Sequence, residues 1–302
     1  MASINSFIYY LKPYIIVLRP HNFVKNILIF LPVLAAQISS TNIWIDVLIS
    51  FVIFCLSAGS MYILNDIIDL NKDLLHSTKK KRPIASGKMS IRIGVTYLLF
   101  LQMLILSIIM ITKLYVLIFI LLSYYILVFL YSKYFKNITI LDVFIISIFY
   151  VFRVVVGVKI SGLEYSIWII NFVLFLFLGL ALLKRYSELN STFIKKDKFS
   201  EIRPYNVEDK NSISLYSILS ITISIIILCT YLMSDKVVLL YENIIFLWLL
   251  PPAFFAWMIT LHMSIINNRN IQDPIIYCLK LKSSWFYSLF ILLSVFLGSV
   301  KF

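Results

Sequence analysis

Apolar runs of 18 or more residues recur along the chain and carry few charges. Each is long enough to cross the hydrocarbon core of a bilayer as an α-helix, which satisfies its own backbone polar groups where water is absent. Nine spanning helices are expected, at roughly residues 22–37, 44–65, 92–112, 114–132, 138–160, 166–187, 212–233, 243–266 and 284–300. Of 302 residues, 61% are hydrophobic and 14% charged, against about 25% charged in an average soluble domain. With only 7 glycines and no ten-residue alternation, a transmembrane β-barrel is disfavoured. The expectation is an all-α, polytopic membrane protein with nine transmembrane helices. The segment before Pro20 is expected along the membrane surface, and Thr112 and Lys113 are expected in a tight hairpin.

Charge placement orients these spans. With the N-terminus cytoplasmic, the external side holds four cations, Lys113, Lys159, Lys236 and Lys301, and Arg153 falls inside a span. The remaining 22 of the 27 Lys and Arg residues are cytoplasmic. This satisfies the positive-inside rule and predicts a cytoplasmic N-terminus, an external C-terminus and a multi-pass protein of the cytoplasmic membrane. The formal charge of +13 sits in short loops, which points to anionic lipids and anionic substrates rather than nucleic acid. Cys55, Cys229 and Cys278 are too scattered for a zinc site or a disulfide framework. No cleavable signal stands out at the N-terminus. Without linkers or low-complexity segments, residues 1–302 are expected to form one domain.

Two loops, 66–91 and 185–211, are longer and more charged than the rest. The first opens with Asn65-Asp66-Ile67-Ile68-Asp69-Leu70-Asn71-Lys72-Asp73. On a helix, the i, i+3, i+7 spacing of Asp66, Asp69 and Asp73 puts them on one face, within about 60°. Carboxylates so close repel one another unless something positive lies among them. Mg²⁺ suits that place, because it takes carboxylate oxygens and bridges them to substrate phosphates. Close behind come Lys79, Lys81 and Arg82, with donors for phosphate oxygens. An acidic metal site beside a basic clamp is the arrangement a diphosphate requires.

These residues resemble the first signature of the UbiA superfamily of intramembrane transferases: Asn65-Asp66 with Asp69 and Asp73, then Lys81-Arg82-Pro83-Ile84-Ala85-Ser86-Gly87. The resemblance implies a nine-helix bundle with a cavity under cytoplasmic loops, and an acidic motif that binds Mg²⁺ and a diphosphate. Further segments are similar to the decaprenyl-phosphate phosphoribosyltransferase group. They are Arg19-Pro20 with Lys25-Asn26; Tyr131-Ser132 with Lys136; Leu141-Asp142-Val143; Phe152-Arg153 with Gly157; and Leu183-Lys184-Arg185 with Glu188-Leu189. The likeness runs from about Arg19 to Pro274 in motif order.

The second loop departs from prenyl-transferring UbiA enzymes, which carry another Asp-rich motif there. This chain has Lys184, Arg185 and Glu188, with Lys184 and Glu188 spaced i, i+4 for pairing. Cations in place of carboxylates favour an additional phosphate over a second metal. A 5-phosphoribosyl diphosphate carries that additional phosphate. Asp142 and Arg153 stand about 16 Å apart on one helix, too far to pair. Arg153 is a candidate phosphate contact, and Asp142 orients a basic residue or a sugar hydroxyl. Tyr131 and Lys136 reach the same cavity from the cytoplasmic side, and Lys25 and Asn65 complete the candidate substrate-binding set. His21 is interfacial, His262 is assigned no role, and Asp273-Pro274 marks a turn.

The expected reaction is Mg²⁺-dependent transfer of a 5-phosphoribosyl group to a polyprenyl phosphate. Asp66, Asp69, Asp73, Lys81 and Arg82 would be catalytic in it. The alternative is transfer of a prenyl group from its diphosphate to an aromatic or other acceptor. A transporter would show internal repeats with matching broken helices, and none is evident.

Overall fold

The computed structural model describes residues 11–75, 78–190, 204–268, 271 and 273–300. His76, Ser77, Arg269 and the basic stretch of the second long loop up to Arg203 lie outside the described residues. The described residues form helices and connecting turns. After α1 (Leu11–Leu18) comes a 3₁₀ helix, Pro20–Phe30, which passes directly into α2 (Leu31–Ala35). There follow α3 (Thr41–Ile68), α4 (Leu70–Leu75), α5 (Ile91–Thr112), α6 (Val116–Lys133), α7 (Leu141–Ser161) and α8 (Ile167–Asn190). The remainder comprises α9 (Lys210–Leu232), α10 (Asp235–Leu240), α11 (Ile244–Leu247), α12 (Leu250–Asn267), α13 (Pro274–Lys280) and α14 (Lys282–Ser299).

Among the described residues eight helical segments have the length and apolarity of a membrane span, and nine if the bent pair Leu11–Leu18 and Pro20–Ala35 counts as one. The expected first span, 22–37, is where sequence and structure differ. It is wound as a 3₁₀ helix over most of its length and bends by 43° from α1. Pro20 supplies the break, since it cannot continue the hydrogen bonding of α1. Lys113 closes the expected α5–α6 hairpin in a left-handed conformation, φ 60°.

Two compact units divide the chain. One comprises Met1–Ile138 with Phe152–Glu164, the other Thr139–Val151 with Tyr165–Phe302. Helix α7 contributes to both. In the first unit, α3 packs against α5, α6 and the 3₁₀ helix. Val17, Ile63, Ile84, Met89 and Leu101 form a buried cluster there. Gly157 of α7 lets the 3₁₀ helix approach closely, because a Cβ at this position would lie 2.1 Å from the Ile29 carbonyl oxygen.

In the second unit α8 and α9 run together along their length. Gly179 and a row of serines permit this. Ser217 Oγ donates to Gly179 O and Ser220 Oγ to Phe175 O, both at 2.8 Å. Small residues and interhelical hydrogen bonds replace the hydrophobic drive that lipid removes. A larger apolar cluster includes Leu183, Leu261 and Ile265 and packs α8 against α9, α12 and α13.

Candidate active site

The last turn of α3 carries Asn65 and Asp66, and helical hydrogen bonding continues through Asp69 into α4. Asp69 N donates to Asn65 O at 2.9 Å, and Asp73 N to Asp69 O at 2.8 Å. The three carboxylates take different partners. Asp66 and Asp73, 2% and 3% exposed, both accept from Arg82. Its Nη1 lies 3.1 Å from Asp66 Oδ1 and 2.5 Å from Asp73 Oδ2. Asp69 turns instead to Lys136, a buried ammonium that requires an anion. Asn65 Oδ1 accepts from Ser132 Oγ at 3.1 Å.

Arg82 is delivered by successive turns. A 3₁₀ turn spans Lys79–Lys81, and Ser86 N then donates to Arg82 O at 2.8 Å. Gly87 adopts φ +74°, a conformation glycine takes without steric cost. Ile84 and Met89 anchor the segment in the apolar cluster beneath it. Lys79 is half-buried and Lys81 exposed. Burial pushes the Asp73 carboxyl above the usual carboxylate range, while Arg82 and Lys79 oppose the shift.

A second guanidinium meets the acidic pair. Arg19 donates to Asp66 Oδ1 and lies 4.8 Å above the Tyr62 ring. It holds φ 53° and ψ 61° ahead of Pro20, a left-handed conformation that costs a residue with a Cβ about 1 kcal/mol. Arg19 heads the Arg-Pro segment, yet its contact with an acid 47 positions away has no spacing signal.

The other sequence-predicted residues of this unit are partly drawn together. Lys25 and Tyr131 are half-buried. Arg153 is buried, donates from Nε to Asn26 Oδ1 at 2.7 Å and lies 5.2 Å over the Phe54 ring. Asn26 in turn donates to Cys55 Sγ at 3.1 Å.

The second unit holds a separate polar cluster. Arg185 Nε donates to Asp142 Oδ2 at 2.7 Å, and Nη1 donates to Glu188. Tyr205 donates its hydroxyl to Asp142 Oδ1 and accepts from Ile140 N at 3.1 Å. Burial and the adjacent Asp142 hold the Tyr205 phenol above its ordinary range, so it remains a donor.

The predicted Lys184–Glu188 partnership is replaced. Lys184 pairs with Asp273 at 3.1 Å, and Glu188 goes to the fully buried Arg185, whose charge needs anions close by. Asp273 also caps α13, accepting from Ile275 N and Ile276 N. Neither Tyr205 nor Asp273 belonged to the predicted set; one is a single tyrosine among 19, the other sits in the expected turn. His262 is buried, with Nε2 3.1 Å from Ser214 Oγ and Nδ1 without a partner.

Among the described residues no three His, Cys, Asp or Glu side chains form a ready metal cage. The acidic pair still fits Mg²⁺. Asp66 Oδ2 is buried without a hydrogen-bond partner. Mg²⁺ is commonly held by one or two carboxylates, its remaining positions going to water and substrate phosphates.

The model of the UbiA prenyltransferase family matches residues 26–283. The chain belongs to the UbiA prenyltransferase family. As a UbiA-family transferase with eight or nine candidate spans, it is a multi-pass integral membrane protein.

Its fold matches that of a UbiA homolog from Archaeoglobus fulgidus, solved with GPP and Mg²⁺. The TM-score is 0.67 at 18% identity, over 96% of this chain and 97% of that one. It is 30% identical over 278 residues to a Sinorhizobium fredii protein described as uncharacterized protein y4nM, covering 91% of this chain and 54% of that protein. It is 33% identical over 178 residues to the decaprenyl-phosphate phosphoribosyltransferase of Corynebacterium glutamicum, covering 57% of this chain and 53% of the enzyme. The match thus spans about half the length of each of these two relatives.

Proposed function

We propose that this UbiA-family chain transfers the 5-phosphoribosyl group of phosphoribosyl diphosphate to a polyprenyl phosphate and releases diphosphate. The observation that carries the reading is the Asp66–Asp73 pair gripped by Arg82, an acidic and basic site suited to a diphosphate leaving group. The name of the Corynebacterium relative supports the phosphoribosyl donor. The Lys184–Arg185–Glu188 segment in place of a second acidic motif supports it too.

In this reading Asp66 and Asp73 hold Mg²⁺, with Asp69 and Asn65 beside them. Mg²⁺ bound there would supply charge neutralisation for a departing diphosphate. Lys79, Lys81 and Arg82 stabilise that charge as the anomeric C–O bond breaks. A lipid phosphate oxygen forms the new bond to the anomeric carbon. It is already ionised, so no general base is required, and placement supplies much of the rate.

Lys25 and Lys184 serve the 5-phosphate and the lipid phosphate. Arg153 and Arg185 are further candidates for these two phosphates, held in place by Asn26 and by Asp142 with Glu188. Tyr131, Lys136, Asp142 and Glu188 complete the substrate surroundings. Residues 1–302 act as one transferase domain of the cytoplasmic membrane, with the N-terminus and both long loops cytoplasmic and the C-terminus outside.

A second reading is prenyl transfer to an aromatic or other acceptor, favoured by the fold shared with a homolog solved with GPP. Membranes containing the chain, given ribose-labelled phosphoribosyl diphosphate and polyprenyl phosphates, separate the two. Label extracted with the lipid is expected. Label retained in water, while a labelled polyprenyl diphosphate is consumed, would favour prenyl transfer.

A further inference from the structure

Asp66 has two carboxylate oxygens in different circumstances. Oδ1 receives Arg19 and Arg82. Oδ2 is buried and has no hydrogen-bond partner. A buried carboxylate oxygen without a donor is costly, and the whole residue is 2% exposed. Such an atom persists where a ligand completes it.

Arg19 is itself held from three directions. Tyr62 lies under its guanidinium at 4.8 Å, Asp66 receives its Nη2, and its backbone is fixed at φ 53° before Pro20. A left-handed arginine survives only where its surroundings over-determine it. The placement commits the side chain to Asp66, and the fork of donors on a planar guanidinium suits that task better than a lysine ammonium does.

We propose that Arg19 is a positioning residue for the cation site: by holding Asp66 Oδ1 it orients the carboxylate so that Oδ2 is the oxygen presented to a hard divalent ion. The inference rests on the metal reading of Asp66 given above. It runs against simple electrostatics, because a positive neighbour repels a cation. If Arg19 acted only as a nearby charge, removing it would tighten metal binding. If it positions Asp66, removing it loosens binding despite the relief of repulsion. Loss of a group that orients a metal ligand typically lowers metal affinity about 10- to 100-fold.

The test uses the full chain in detergent or nanodiscs, without substrate, with Mn²⁺ as the probe and the free Mn²⁺ resonance as the readout. Arg19→Gln is expected to weaken Mn²⁺ binding about 10- to 100-fold, with the thermal transition retained. Arg19→Lys keeps the charge and loses the planar fork, so it is expected to weaken binding too. It carries the test if Arg19→Gln does not fold. Binding at or above wild-type strength in the folded variants would overturn the proposal. Asp66→Asn distinguishes the two levels: if it leaves Mn²⁺ binding untouched, the metal reading of Asp66 fails and the proposal falls with it. If Asp66→Asn abolishes binding and Arg19→Gln does not weaken it, only the role of Arg19 fails.

Discussion

Arg185 and Asp142, 43 positions apart, form an ion pair at 2.7 Å in which the side chains are 1% and 0% exposed. Breaking a buried pair by removing one partner leaves an uncompensated charge and costs about 3–5 kcal/mol. Arg185→Ala is therefore expected to lower the melting temperature in detergent sharply, and Asp142→Asn to lower it less because Tyr205 can still donate to the amide oxygen. The double variant should recover part of the loss, measured as a thermodynamic cycle. Additive losses would mean that the two side chains are not coupled.

Substrate recognition by this cluster is better tested at its edge. Glu188, at 20%, is more exposed than either buried partner. Glu188→Gln is expected to lower the melting temperature less than Arg185→Ala, since Asp142 still faces Arg185, and to raise the apparent constant for phosphoribosyl diphosphate about tenfold, as loss of a charge-assisted contact does. Unchanged donor kinetics would remove Glu188 from the site.

Asp66→Asn and Asp73→Asn are expected to abolish metal-dependent activity, by about two orders of magnitude or more, while the fold persists. Arg82 still has one carboxylate in each variant, whereas Asp66→Asn leaves Arg19 only an amide oxygen, so the larger drop in melting temperature is expected for Asp66→Asn. Circular dichroism together with Mg²⁺ titration of the transferase assay checks both halves. Full Mg²⁺-stimulated activity in either variant would take that carboxylate out of the metal site.

Gly157→Ala should destabilise the first unit by about 1–3 kcal/mol, the usual cost of overpacking. The added methyl would sit 2.1 Å from a backbone oxygen, which cannot rotate aside. Thermal unfolding in detergent measures it, and a silent substitution would mean that this helix contact relaxes freely.

Single cysteines at Lys88 and Lys236, both exposed, test the membrane orientation. Ser77 and Ser200 would serve the same purpose but lie outside the described residues. Impermeant maleimide should label Lys236→Cys from outside and spare Lys88→Cys until the membrane is opened. The reverse would invert the topology.

The spans were legible because bilayer thickness imposes a length and an apolar composition that a single sequence displays. Asp66, Asp73 and Arg82 were legible as neighbours because they share one short stretch, where helical and turn geometry govern distance. Arg19 and Tyr205 were not. Each meets an acid far along the chain, 47 and 63 positions away, and such contacts depend on helix packing that leaves no periodic trace. Lys136 illustrates the middle case. Its place in the site was expected, but its capture of Asp69 follows from burial, which residue type alone does not reveal.

The winding of the segment Pro20–Ala35 has a geometric result. A 3₁₀ helix rises about 2.0 Å per residue and an α-helix about 1.5 Å. Sixteen residues of α-helix would reach about 24 Å, short of the roughly 30 Å of hydrocarbon in a typical bilayer. With the 11 residues from Pro20 to Phe30 in the narrower, longer winding, the same segment reaches about 30 Å. Thinning the helix lengthens it, so sixteen residues can cover the distance of twenty, and its reduced girth suits the place where Gly157 admits its backbone.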